Sequence, residues 1–126
     1  MDLFLSAFKS NDTFLTPYVS NRYVSQAIAY IQSHFRNQLT LAETAAHCAV
    51  SPEYLSRIFR KEMSMTFKEH LKFCRLKTAH SILSRGTTMS VAEVAFSCGF
   101  NDSNYFSSLY KLTYHISPSQ ANQNKE

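Results

Sequence analysis

Residues 66–86 read TFKEHLKFCRLKTAHSILSRG, and they predict one long helix. Thr66 and Glu69 form a T-x-x-E capping box, in which each side chain satisfies a backbone N–H that the first helical turn leaves unpaired. Phe67, Leu71, Cys74, Ala79, Ile82 and Leu83 recur at roughly helical spacing. Arg85-Gly86 closes the helix, because Gly tolerates the left-handed conformation at helix ends. A helix over 67–85 is about 28 Å long at ~1.5 Å per residue.

The segments on either side of this helix resemble each other. AETAAHC at 42–48 matches AEVAFSC at 92–98, and YLSRIFR at 54–60 matches YFSSLYK at 105–111. The first match is offset by 50 and the second by 51, so the later copy has one extra residue in its turn. Thr66 lines up with Ser117. The repeat predicts two copies of a helix–turn–helix unit joined by the central helix.

Working outward, Val24, Ala27, Ile28, Ile31 and Phe35 give the apolar stripe of a first helix over about 21–35. Thr40-Leu41-Ala42-Glu43 is a capping box opening a second, with Leu41, Ala42 and Ala45 expected to admit a neighbouring helix. Ser51-Pro52 opens a third, Pro being tolerated where no N–H is needed. After the central helix, Ser90–Glu93 is another box, Asp102 or Ser103 caps the next helix, and Ser117–Gln120 is a fourth box. The expectation is an all-α, seven-helix domain. The first unit spans about 20–65, the central helix 67–85 and the second unit about 87–121. Residues 1–19 read as a linker or the remnant of a preceding segment, and 122–126 as a frayed tail.

The chain has 126 residues, 44% of them apolar, and a net charge of +4. Between 51 and 75, six bases (Arg57, Arg60, Lys61, Lys68, Lys72, Arg75) face three acids (Glu53, Glu62, Glu69). Charge alone is also satisfied by a solvated helix face. Cys48, Cys74 and Cys98 sit among apolar residues with no C-x-x-C spacing, the pattern of reduced thiols in a cytoplasm. His47 beside Cys48 lacks a second ligand pair at zinc spacing, so no metal or other cofactor is expected. No signal peptide or membrane span is visible.

The helices of the repeat carry the functional signal. Leu55, Ile58 and Phe59 form a buried face on the first, leaving Glu53, Ser56, Arg57 and Arg60 outward. In the second, Phe106, Leu109 and Tyr110 are buried, leaving Asn104, Ser107, Ser108 and Lys111 outward. A slim polar helix fits a DNA major groove, about 12 Å wide. Arg57 suits guanine and Asn104 suits adenine, each through two parallel hydrogen bonds. Arg60, Lys61 and Lys111 suit phosphates, which set register rather than sequence.

These residues resemble the AraC/XylS family of bacterial transcription regulators, over about 23–119. The first half, LTLAETAAHCAVSPEYLSRIFRKEMSMTFKEHL, is followed by RLKTAHSIL. VAEVAFSCGFNDSNYFSSLYK with ISPS is the more diagnostic half. The resemblance implies sequence-specific binding of double-stranded DNA, with two recognition helices in adjacent major-groove segments. It implies activation through RNA polymerase, and an effector or dimerisation domain elsewhere in a longer protein. Carried over by position, the base readers are Glu53, Ser56 and Arg57, then Ser103, Asn104, Ser107 and Ser108. Three departures stand out. Ser64 and His115 replace the glycines that follow the recognition helices, Ser108 stands where an Arg is frequent, and Ala121-Asn122 replaces a closing Tyr-Arg pair.

A different reading makes the same helices a protein-interaction module that grips a polymerase subunit without reading DNA. An enzyme is disfavoured, because Glu43 and Glu93 are accounted for as caps. His34, His47, His70, His80 and His115 form no nucleophile–base cluster at recognisable spacing.

Overall fold

Capping chemistry starts each helix where the sequence predicts. In the computed structural model, which describes residues 21–124, the order is α1 (Arg22–His34), α2 (Leu41–His47), α3 (Pro52–Met63), α4 (Phe67–Arg85), α5 (Val91–Ser97), α6 (Ser103–Tyr114) and α7 (Pro118–Ala121). No strand occurs among the described residues. The linker expected over 1–19 lies outside them; Asn21, the first described residue, caps α1 with its side chain. All four capping boxes form: Thr40 with Glu43, Thr66 with Glu69, Ser90 with Glu93 and Ser117 with Gln120. Asp102, rather than Ser103, caps α6.

The chain divides into two compact units, with α4 contributing residues 67–73 to the first and 74–85 to the second. In the first unit Val24, Ala27, Ile28 and Ile31 of α1 are buried, while Phe35, expected on the same stripe, is half-buried. Leu55, Ile58, Phe59 and Met63 supply the inner face of α3. Phe59 meets Phe67 and His70 edge-on, at ring separations of 6.1 and 5.5 Å. Ala45 and Thr44 are the buried residues of α2; Ala42, expected inside, is exposed.

In the second unit Leu76, Ala79, Leu83, Val94, Ala95, Cys98, Phe100, Phe106, Tyr110 and Ala121 form one core. Leu109 and Ile82 are only partly covered against it. His80 stacks on Tyr114 at 4.0 Å, and its Nδ1 lies 2.8 Å from the Tyr110 hydroxyl. Burial lowers the pKa of His80 and pushes Tyr110 up to about 12.

The two turns are built alike. Val50 N–H donates to Ala45 O at 3.0 Å, and Phe100 N–H donates to Ala95 O at 3.0 Å. Each turn needs one left-handed residue, Ala49 at φ 61° and Gly99 at φ 103°. The extra residue of the second copy is Asn101, between the turn and the Asp102 cap. Ser64 and His115 are also left-handed, at φ 59° and 70°, so both helices end in the glycine conformation without glycine.

Residues 122–124, expected to fray, are tied down. Thr87 N–H donates to Asn122 Oδ1 (3.1 Å), and Asn122 Nδ2 donates to Thr87 O (3.0 Å). Gln123 N–H donates to Leu83 O at 3.0 Å. Gly86 is favoured by its left-handed φ of 89°, and a Cβ there would also stand close to the tail, 3.1 Å from Asn124 N.

Candidate nucleic-acid interface

The local sequence of α3 decides what it displays. Ser51 Oγ accepts from Tyr54 N–H at 3.1 Å, and Pro52 occupies the first turn. With Leu55, Ile58 and Phe59 turned inward, Glu53, Ser56, Arg57, Arg60 and Lys61 are all exposed. Glu53 in the first turn and Arg60 and Lys61 in the last complement the helix dipole, which also gives them a structural reason to be there.

Arg57 does not hang free on this face. Its guanidinium carbon lies 5.1 Å from the centre of the Tyr54 ring. Tyr54 in turn meets Tyr23 of α1 edge-on, at 6.1 Å and 78°. Arg22 lies over Tyr23 at 4.9 Å and donates from Nη2 to its hydroxyl at 3.0 Å. Cation, ring, ring and cation are thus linked by successive contacts within the first unit, between two exposed arginines and two half-buried tyrosines.

In α6, Asp102 Oδ1 accepts from Asn104 N–H (2.9 Å) and Tyr105 N–H (3.2 Å). Asn104, Ser108 and Lys111 are exposed, whereas Ser103 and Ser107 are half-covered. Tyr105 is 49% exposed and aligns with Tyr54, but the position aligned with Arg57 is Ser108. The two faces therefore share a frame and differ in charge.

Tyr54 and Tyr23 were not singled out from the sequence as part of the interface. The available signal was Tyr54 three residues before Arg57, a spacing that places them on one helix face. The other polar clusters do not assemble chemistry. His70 is fully buried, with its pKa pushed down to about 4 by loss of solvent. His34 and His47 stack on Tyr30 at 4.1 and 4.3 Å. Among the described residues no group of three His, Cys, Asp or Glu is placed to hold a metal ion. No described helix is long and apolar enough to cross a membrane.

Comparison with known proteins gives this geometry a family. Residues 44–124 match the family model described as a helix-turn-helix domain. The uncharacterized HTH-type transcriptional regulator YijO of Escherichia coli K12 is 40% identical over 72% of this chain and 32% of its own length. The HTH-type transcriptional activator RhaS of Klebsiella pneumoniae is 32% identical over 82% of this chain and 37% of its own. Among solved structures, the C-terminal domain of AraT, a response regulator from Geobacillus stearothermophilus, superposes with a TM-score of 0.76. It is 33% identical, over 85% of this chain and 88% of that one.

The chain belongs to the AraC/XylS family of transcription regulators. The matched segment is that family's sequence-specific DNA-binding domain. It spans about a third of the length of the curated relatives it matches.

Proposed function

We propose that each helix–turn–helix unit reads its own major-groove segment, α3 with Glu53, Ser56 and Arg57, and α6 with Ser103, Asn104, Ser107 and Ser108. Arg60, Lys61 and Lys111 take phosphates. The observation that carries this is the pairing of matched frames with polar outer faces: identical turn hydrogen bonds precede α3 and α6, and the aligned outward positions are polar in both. The base excess over 51–75 adds a salt-dependent attraction to the backbone.

The domain acts within a longer bacterial regulator that carries an effector or dimerisation domain, activates transcription through RNA polymerase and works in the cytoplasm. The similarity to an activator of which the matched segment makes up 37% supports this reading. The test is selection of duplexes from a random library, followed by titration of the best duplex and a scrambled one at several salt concentrations. A steep fall of affinity with salt and a preference for the selected sequence are expected. Salt-independent binding to RNA polymerase with no duplex preference would favour the interaction-module reading instead.

A further inference from the structure

We infer that Tyr54 is a positioning residue for base readout: its ring holds the Arg57 guanidinium in place before DNA arrives. This rests on Arg57 reading a base. Arg57 sits 5.1 Å from the Tyr54 ring centre, where the negative face of the ring attracts the cation. A planar guanidinium also stacks on such a face, which limits the rotamers that an exposed Arg otherwise explores. Tyr54 is itself steadied, half-buried and wedged edge-on against Tyr23 from a different helix. Tyr23 in its turn is engaged by Arg22. A side chain ordered in advance loses less freedom on binding, so its interaction discriminates better between right and wrong bases. The second unit keeps the ring as Tyr105 but has Ser108 in place of the cation, so the device exists only in the first unit.

The test is a double-substitution cycle on the whole chain, with the best duplex from a random library as probe. Arg57→Ala locates the base pair that Arg57 reads, as the pair whose substitution no longer matters. Tyr54→Leu, and Tyr54→Met as a second ringless variant of useful bulk, should lower discrimination at that pair about two- to fivefold, the range of an exposed cation–π contact. Tyr54→Phe should restore it. In an Arg57→Ala background the ringless variants should change nothing further. Equal losses on all sequences, losses that persist without Arg57, unchanged discrimination or tighter binding would each overturn the inference. If Arg57→Ala itself leaves binding intact, the assignment of Arg57 as a reader fails, and this inference falls with it.

Discussion

Asn122 and Thr87 exchange two hydrogen bonds, side-chain amide to backbone on both counts, across 35 residues of sequence. By the family resemblance a Tyr-Arg pair is expected where this chain has Ala121-Asn122. Here Ala121 is buried in the core and Asn122 fastens the chain after α7 to the loop that follows α4. Asn122→Ala should cost about 1–3 kcal/mol, two bonds at roughly 0.5–1.5 kcal/mol each. Urea unfolding monitored by circular dichroism measures it. A loss below about 0.3 kcal/mol would show that water replaces both bonds without penalty.

His70 should make the fold acid-sensitive. Its pKa is about 4 when folded against 6.5 for an unburied histidine, so the unfolded chain binds the extra proton first. Stability is therefore full above pH 6.5 and falls as pH drops toward 4. At ~1.4 kcal/mol per pH unit, the loss between pH 7.5 and pH 5 is about 2 kcal/mol. His80, lowered for the same reason, acts in the same direction. Denaturation midpoints at the two pH values check this, and His70→Leu should flatten the acid limb. An unchanged limb in that variant would move the effect to other groups.

The two kinds of contact should separate by mutation. Arg57→Ala should cost ~1–3 kcal/mol on the preferred duplex, relax one base position and leave the fold intact, because Arg57 is exposed. Lys111→Ala should weaken all duplexes alike and reduce the salt slope by roughly one. Fluorescence anisotropy at four salt concentrations distinguishes them. A loss confined to one base position in the Lys111 variant would reassign it as a reader.

The units should contribute unequally to specificity. The first displays Arg57, Arg60 and Lys61; among these aligned positions the second displays only Lys111. A serine hydroxyl pairs with any base, so Ser108 discriminates little. Substitutions under α3 should cost ~1–3 kcal/mol per base pair, and those under α6 distinctly less. Ser108→Arg should raise affinity, since the exposed Tyr105 ring stands one turn before it, as Tyr54 stands before Arg57. Competition binding on mutated half-sites decides, and equal penalties in both would identify Asn104 and Ser107 as effective readers.

Features set by neighbouring residues were legible in the sequence. The four capping boxes, the Asp102 and Ser51 caps and the stops at Gly86 and Gly99 depend on a few consecutive positions. Features set by packing were not. His70, Phe73 and Leu76 are buried although they lie off the expected stripe, because α4 serves a different core in each part and shows no single apolar face. The Asn122–Thr87 bonds join residues too far apart for any periodicity to connect. Nothing in alanine signals the left-handed conformation of Ala49. Only alignment with Gly99, fifty positions on, does so. The outward faces were legible in full for α3, while Ser107 of α6 is more covered than its spacing suggested, and so is Ser103, which only the family resemblance had placed among the readers.

The separation of inner and outer residues on α3 and α6 bears on how such a protein can change over generations. Leu55, Ile58 and Phe59 hold one helix, and Phe106 and Tyr110 hold the other; none of them is among the proposed readers. Exposed positions such as Ser56, Arg57, Asn104 and Ser108 can then be exchanged at little cost to the core. A lineage carrying this scaffold can drift to new target sequences one substitution at a time, each intermediate still folded. Mutations at the Tyr54 ring would alter fidelity before they altered preference.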